Sequence, residues 1–228
     1  MLTFLATPHG AGVRLWGSCE ELYEIYEVLD KFWEPEENRN PLRYELDTLI
    51  GSFAYDIRKA FTGCRTIAKK HPVTGEEGEW FAVEITWTHV VFYFAVLRHN
   101  MSYFPYSEME LKAVNDLQES LYACMDKFCP RYSKSMKPFI EGAIYCGNEY
   151  LMAYMEDINY SHLSWLRYGT PKDGFRYLAT QLMYHTIYDT YPYRTMLSRL
   201  KASAKKLNCG INDLRFDYEN DPVFDFKW

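Results

Sequence analysis

The chain has 228 residues, of which 48% are hydrophobic and 25% are charged, and this balance is ordinary for a globular protein. Its formal net charge of −6 excludes a general attraction to nucleic acid, because binding to phosphates requires clustered lysine and arginine. We therefore expect no nucleic-acid partner. The aromatic content is high at 18%, which indicates either a bulky helical core or an aromatic binding surface.

The first elements predict a β-hairpin. Leu2 to Thr7 and Val13 to Trp16 read as two short strands, and Gly10 and Gly12 between them can supply the positive φ angles of a tight turn. A phosphate-binding loop is the poorer interpretation, because a third glycine and a following helix are missing. The residues before the turn lack the basic leader of an export signal, so we expect a cytoplasmic protein.

Two helices are predicted after the hairpin. Ser18 and Glu21 form a capping-box pattern, and apolar residues then recur at helical spacing as far as Phe32. A second helix is predicted from about Pro41 to Phe61. Each has one apolar stripe, so each should pack one face against a core.

The next stretch predicts two more strands and a helix that is apolar on all sides. Cys64 to Lys70 and Trp80 to Trp87 should join the hairpin in a four-stranded antiparallel sheet. Thr88 to Met101 follows directly, and residues 90–97 carry no charge. A helix without a polar face needs partners all round, so we place it in the core. It is shorter than the roughly 20 apolar residues that cross a bilayer, and we expect no membrane partner.

The C-terminal half is predicted to be mainly helical. The predicted helices span Ser107–Phe128, about Lys137–Tyr154, Asp157–Leu166, Lys172–Asp189 and Tyr193–Leu207. The tail from Leu214 to Trp228 alternates acidic and aromatic residues, and either forms an edge strand or docks across a groove. The fold class is therefore α+β, with a small antiparallel sheet packed against helices and a mainly helical second half. One compact domain is favoured over two, although a seam near Pro130 is an alternative.

No cofactor, metal or catalytic residue is predicted. The six cysteines form no CxxC pair, so we expect reduced, buried thiols. His185 and Asp189 stand four residues apart on a predicted helix, but no third ligand lies at helical spacing. There is no Gly-x-Ser-x-Gly elbow for a serine nucleophile.

One segment resembles a known family. The segment from Ala54 to Gly63 contains Tyr-Asp-Ile-Arg, and it is followed by a strand pair and an aromatic helix that ends in Leu97-Arg98. This order resembles an uncharacterised family of small bacterial cytosolic proteins, described as a domain of unknown function, over residues 1–128. The resemblance implies a bacterial origin and a single domain, and it implies no activity.

Four polar residues on the apolar helices form the candidate ligand site. Asp56, Arg58, His89 and Arg98 would line a pocket between the sheet and the second and central helices, where the two guanidinium groups could bind an anionic ligand. The structural alternative is an ion pair between Asp56 and Arg98 that locks the two helices together, because a charge on a core helix must be paired.

The C-terminal tyrosines form the candidate interface. Tyr177, Tyr184, Tyr188 and Tyr191 lie at helical spacing, and they belong either to the rim of the core or to an exposed interaction surface. The leading hypothesis is a non-enzymatic protein-interaction domain that forms a homo-oligomer or binds another protein. The alternative is an anionic-ligand-binding domain or enzyme that uses Asp56, Arg58, His89 and Arg98.

Overall fold

The computed structural model describes residues 1–34, 40, 43–145, 149–183, 187, 190–214, 223 and 225–228. In chain order its elements are β1 (Thr3–Ala6), β2 (Gly12–Gly17), α1 (Cys19–Asp30), α2 (Tyr44–Phe61), β3 (Thr66–Lys70), β4 (Glu77–Thr86), α3 (Trp87–Asn100), α4 (Glu108–Phe128), α5 (Pro130–Gly142), α6 (Leu151–Tyr168), α7 (Pro171–Gln181) and α8 (Tyr191–Leu207), followed by a short 3-10 helix at Ile211–Asp213. The predicted α+β class is confirmed.

The four strands form one antiparallel sheet in the order β1-β2-β4-β3, as predicted. Side chains alternate across the sheet, and the register pairs Leu15 with Val83 on the buried face. On the opposite face Arg14 is directly across from Glu84, and Arg14 Nε donates to Glu84 Oε1 at 3.0 Å. Gly12 lets β2 approach β4 closely, because a Cβ there would lie 2.0 Å from the carbonyl oxygen of Ile85.

The helix α3 is the centre of the fold. It starts directly at the end of β4, where the Thr86 side chain caps it by accepting from the backbone N–H of His89. All residues from Val90 to Leu97 are buried, and α3 packs against α2, α5, α6, β2 and β4. The prediction that this helix is enclosed on every side is confirmed.

Much of the aromatic content belongs to the packing around α3. The large rings of this helix together meet six other elements: Trp87 packs against rings of α4 and α7, Phe92 against rings of α5 and α6, Tyr93 against α2, and Phe94 against β1 and α2. Such pairs stabilise a core beyond the area that they bury. The interpretation of a bulky aromatic core is therefore correct for this helix.

Both predicted capping boxes are present, whereas several predicted helix boundaries are wrong. The predicted helix Lys172–Asp189 is too long, because α7 ends at Gln181. Reciprocal hydrogen bonds cap α1 at Ser18 and α4 at Ser107. The predicted helix Lys137–Tyr154 is divided, because α5 ends at Gly142 and α6 starts only at Leu151. Between the two, Tyr150 has a φ of 55°, a left-handed conformation that a continuous helix does not allow. The predicted break between 154 and 157 is absent, since α6 is continuous there.

The cysteine prediction is correct only in part. The described cysteines are all free thiols; Cys124 and Cys129 are buried, but Cys19, Cys64 and Cys209 are exposed. These three lie at or beyond the ends of helices, where little of the chain covers them. Cys146 lies outside the described residues.

One contiguous core crosses the possible seam at Pro130. It extends from Phe4 in β1 to Met196 in α8, and α5 and α6 pack directly on α3. The number of domains stays a prediction. Most of the tail from Leu214 to Trp228 lies outside the described residues, but Phe226 and Trp228 pack against a small second cluster.

Candidate interaction surfaces

The four residues of the predicted ligand site lie at different places along the central helix. α2 and α3 are antiparallel, because Asp47 near the start of α2 contacts Asn100 at the end of α3. Arg58, in the last turn of α2, is therefore near the start of α3, where His89 lies. Arg98 is nine residues further along α3, or about 13 Å at 1.5 Å per residue. The structure thus separates the two arginines that were predicted to converge.

The predicted ion pair between Asp56 and Arg98 is wrong. Asp56 instead accepts a hydrogen bond from Arg65 Nη2 at 2.9 Å, across the turn that connects α2 to β3. Burial raises the pKa of Asp56, and the nearby Arg65 and His89 oppose this shift. Arg58 is exposed and its guanidinium lies 5.3 Å from the Tyr55 ring centre.

Both ring nitrogens of His89 are engaged. Its Nδ1 lies 2.6 Å from Thr86 Oγ1, and its Nε2 lies 3.3 Å from Glu156 Oε1 on α6. If the Thr86 hydroxyl donates to Nδ1, the proton on Nε2 is directed at the carboxylate, so one neutral tautomer satisfies both contacts. This arrangement links α3 to α6 and leaves no ring nitrogen free to act as a base.

Arg98 belongs to a hydrogen-bond chain between α3, α4 and α5. Its Nε donates to Gln118 Oε1 at 2.5 Å and its Nη2 donates to Asn115 Oδ1 at 2.7 Å. Gln118 in turn donates to the Tyr122 hydroxyl, which donates to Glu141. Burial lowers the pKa of Arg98. The Arg98 guanidinium is thus hydrogen-bonded to side-chain amide oxygens of its own chain.

Arg98→Ala should lower the free energy of unfolding by about 2 kcal/mol, because it leaves the buried Gln118 without its charged donor. Arg58→Ala, a change of the same type at an exposed site, should have little effect. Urea titration of the three proteins measures both values.

Added phosphate should raise the melting temperature of the parent and of Arg98→Ala equally; a rise confined to the parent would restore the predicted anion site.

A buried charge cluster fixes the start of α2, and sequence reasoning missed it. Asp47 is fully buried and lies 3.6 Å from Arg43 Nη2, whose guanidinium packs over the ring of Phe104. Asn100 donates to Asp47 Oδ1 at 3.4 Å and to the carbonyl oxygen of Phe32 at 2.7 Å. The cluster joins the ends of α1 and α3 to the start of α2. The spacing of Arg43 and Asp47, four residues apart, was the available signal.

An exposed aromatic surface covers α6, α7 and the start of α8. Its members are Trp165, Tyr168, Tyr177 and Tyr191, and Trp165, Tyr168 and Tyr191 are 47%, 84% and 75% exposed. The rings of Trp165 and Tyr177 stack with centres 5.7 Å apart. Two of the predicted interface residues, Tyr177 and Tyr191, thus belong to one surface, while Tyr184 and Tyr188 lie outside the described residues.

A polar pocket of 300 Å³ lies within the aromatic surface, between α6, α7 and α8. Tyr177 and Tyr191 both line it, together with Ser161. At its edge Arg199 Nη2 donates to Asp157 Oδ2 at 2.6 Å. Burial raises the pKa of Asp157, and Arg199 opposes this shift. The pocket joins the two tyrosines into a continuous surface that also contains an ion pair.

A second surface, the acidic groove, lies between α1 and α4. Its volume is 620 Å³, within the range of about 300–1,000 Å³ that is common for binding clefts. Its apolar side chains are Met1, Leu2, Ile25, Val28, Met109, Ala113 and Leu117, its carboxylates are Glu21, Glu24, Glu27, Glu110 and Asp116, and Tyr23 and Ser107 complete the lining. Among the residues that the structure describes, no lysine or arginine lines the groove.

Two further features of the described residues concern metal ions and membranes. No group of three or more histidine, cysteine, aspartate or glutamate side chains in the described part of the chain has an arrangement that could hold a metal ion. None of the helices described here is both long and apolar enough to span a bilayer. His185 and Asp189 lie outside the described residues.

Comparison with known proteins gives one match. The profile of a family described as "Domain of unknown function (DUF6904)" matches residues 2–228, a wider range than the residues 1–128 of the expected resemblance. No curated protein and no solved structure matches the chain.

Proposed function

Because the chain belongs to the DUF6904 family, whose function is unknown, we propose from its own surfaces that it is a non-enzymatic protein-interaction domain that self-associates. The observation that carries this proposal is the aromatic surface of α6, α7 and α8. We further propose that the protein acts in the bacterial cytoplasm, as the sequence resemblance implies.

The composition of the aromatic surface is that of a binding hot spot. Tryptophan, tyrosine and arginine dominate the energetics of protein interfaces, and all three are present here in Trp165, the three tyrosines and Arg199. Tyrosine buries a large area at a low cost in conformational entropy, and its hydroxyl tolerates water at the rim. Large aromatic side chains exposed together are unusual for a surface that stays in water.

A second copy of the chain is the occupant proposed for this surface. A two-fold dimer would bring each aromatic surface against its equivalent, so that Tyr168 and Tyr191 of both protomers become buried. The pocket beside Tyr177 would receive a side chain from the partner. The ion pair of Arg199 and Asp157 carries no net charge, so this pair would not oppose the approach of the two equivalent surfaces.

The alternative, an anionic-ligand-binding domain or enzyme, has less support. Arg58 and Arg98 lie at different places along the central helix, and the polar groups of Arg98 and His89 are engaged by neighbours in the chain. No step of a reaction follows from this geometry.

Replacing Trp165 and Tyr191 together by alanine should weaken self-association about a thousandfold or more, since a two-fold dimer loses four rings and each ring contributes on the order of 1–2 kcal/mol. Sedimentation equilibrium of parent and variant measures the change. Both side chains are substantially exposed, so the variant should remain folded. Tyr44→Ala, which removes an exposed tyrosine from α2 that lines neither the pocket nor the acidic groove, is the control and should associate like the parent. Equal association of the double variant and the parent would contradict the proposed interface.

A further inference from the structure

We propose that the acidic groove between α1 and α4 binds a basic amphipathic helix of a partner protein. The groove is formed by elements that do not contribute to the aromatic surface. The inference therefore goes beyond self-association and does not depend on it.

The shape of the groove fits a helix. Its walls are two helices, which line it at 21, 23, 24, 25, 27 and 28 on α1 and at 109, 110, 113, 116 and 117 on α4. Along each helix, lining residues recur three or four positions apart. These rows are the ridges against which a third helix packs. The lining on α4 runs from 107 to 117, about 15 Å along the axis, which is the length of roughly ten helical residues.

The floor of the groove requires an apolar face on the partner. Leu2, Val28 and Ala113 are only partly buried, so their apolar atoms remain in contact with water. Met109 is 83% exposed at the edge, and the flexible methionine side chain can adapt to different apolar partners. A helix that places a leucine-rich stripe on this floor would remove the exposed apolar surface from water.

The rim of the groove requires positive charge on the partner. Glu21, Glu110 and Asp116 already contact cations of the chain itself, namely the Met1 amino group, Lys31 and Lys112. Glu24 and Glu27 are exposed, and neither is paired with a cation within the described part of the chain. They lie one turn apart, so lysines or arginines one turn apart on a bound helix could face both of them.

The chain's own basic helix is a poorer occupant than a helix of another protein. α8 carries five lysine or arginine residues and no acidic residue. However, its apolar residues Tyr193, Met196 and Ala204 are buried in their own protomer. The exposed hydrophobic residues of α8, Tyr191 and Leu207, stand at its two ends, so the middle of α8 would offer mainly its charged side and would leave most of the apolar floor uncovered.

The probe for this proposal is a synthetic amphipathic helix of about 15 residues, roughly four turns, with leucine on one face and lysine on the other. Its binding is measured by fluorescence anisotropy, and we expect saturable binding that weakens with salt. The double variant Glu24→Lys with Glu27→Lys should weaken it about tenfold or more, equivalent to 1.4 kcal/mol. The control Glu20→Lys with Glu119→Lys makes the same charge change on the two helices that form the groove, but outside its lining, and should weaken binding much less.

Three results would overturn the proposal. Equal weakening by both double variants would show attraction to the overall negative charge alone. Equal binding of a peptide with the same composition in scrambled order would show that the apolar floor takes no part. Tighter binding of a peptide with the sequence of Tyr191–Leu207 would assign the groove to a second copy of the chain.

Discussion

Asp47→Ala should lower the free energy of unfolding by about 3–5 kcal/mol, the range expected when one partner of a buried ion pair is removed. Asp47 is fully buried, and the Arg43 side chain opposite it is 11% exposed. The substitution leaves the guanidinium in the protein interior without its carboxylate, and it also removes an acceptor for Asn100. Chemical denaturation monitored by circular dichroism measures the loss.

The chain provides a matched control for this substitution. Lys112 and Asp116 form an ion pair with the same spacing of four residues on an exposed helix face, where such pairs contribute only about 0.3 kcal/mol. Asp116→Ala should therefore be close to neutral. The double variant Arg43→Met with Asp47→Leu removes both charges and should recover much of the lost stability. An equal effect of Asp47→Ala and Asp116→Ala would show that the buried pair does not stabilise the helix junction.

His162→Leu should remove a large part of the acid sensitivity of the fold. The imidazole is fully buried on α6, and neither ring nitrogen has a hydrogen-bond partner in the described structure. Burial lowers the pKa of His162 to about 3, whereas in the unfolded chain it is about 6.5. The folded state thus favours the neutral ring, and this contribution is present above pH 6.5 and is lost as the pH falls toward 3.

From this difference in pKa, His162 should lower the free energy of unfolding of the parent by about 3 kcal/mol when the pH falls from 7.5 to 4.5. Urea titrations at both pH values measure this change for the parent and for His162→Leu. The change in the free energy of unfolding should be smaller in His162→Leu by about 3 kcal/mol. His9→Gln, at an exposed histidine in the hairpin turn, should follow the parent. Parallel pH dependence of His162→Leu and the parent would mean that the buried ring is not responsible.

The elements with strong local signals could be predicted from the sequence. The capping boxes at Ser18 and Ser107 were identified because a glutamate stands three residues after each serine. A third box, formed by Thr170 and Asp173, was missed because aspartate replaces the usual glutamate. The central helix was identified because residues 90–97 contain no charge.

The pairing of charges between helices could not be predicted. Asp56 and Arg98 are both on apolar helices, but the distance between them depends on the direction and register in which α2 and α3 pack. The local sequence of either helix does not specify this packing. The antiparallel packing places Asp56 near the start of α3, far from Arg98. Its hydrogen-bond donor is Arg65, in the turn that follows α2. The acidic groove was missed for a related reason, since α1 and α4 are distant in the chain.

The interface prediction depends on surface exposure, which helical spacing does not give. Tyr177 and Tyr191 were identified from a helical spacing that the structure does not keep, since Tyr177 lies on α7 and Tyr191 starts α8. Trp165 and Tyr168, on α6, were not identified. Only the packing of α6 beside α7 brings Trp165 against Tyr177.

The mass of the unmodified protein in solution tests the proposed self-association most directly. Light scattering across a dilution series should give a mass above the 27.1 kDa of one chain, falling toward that value as the protein is diluted. A mass of 27.1 kDa at every concentration would contradict the proposal that the aromatic surface binds a second copy.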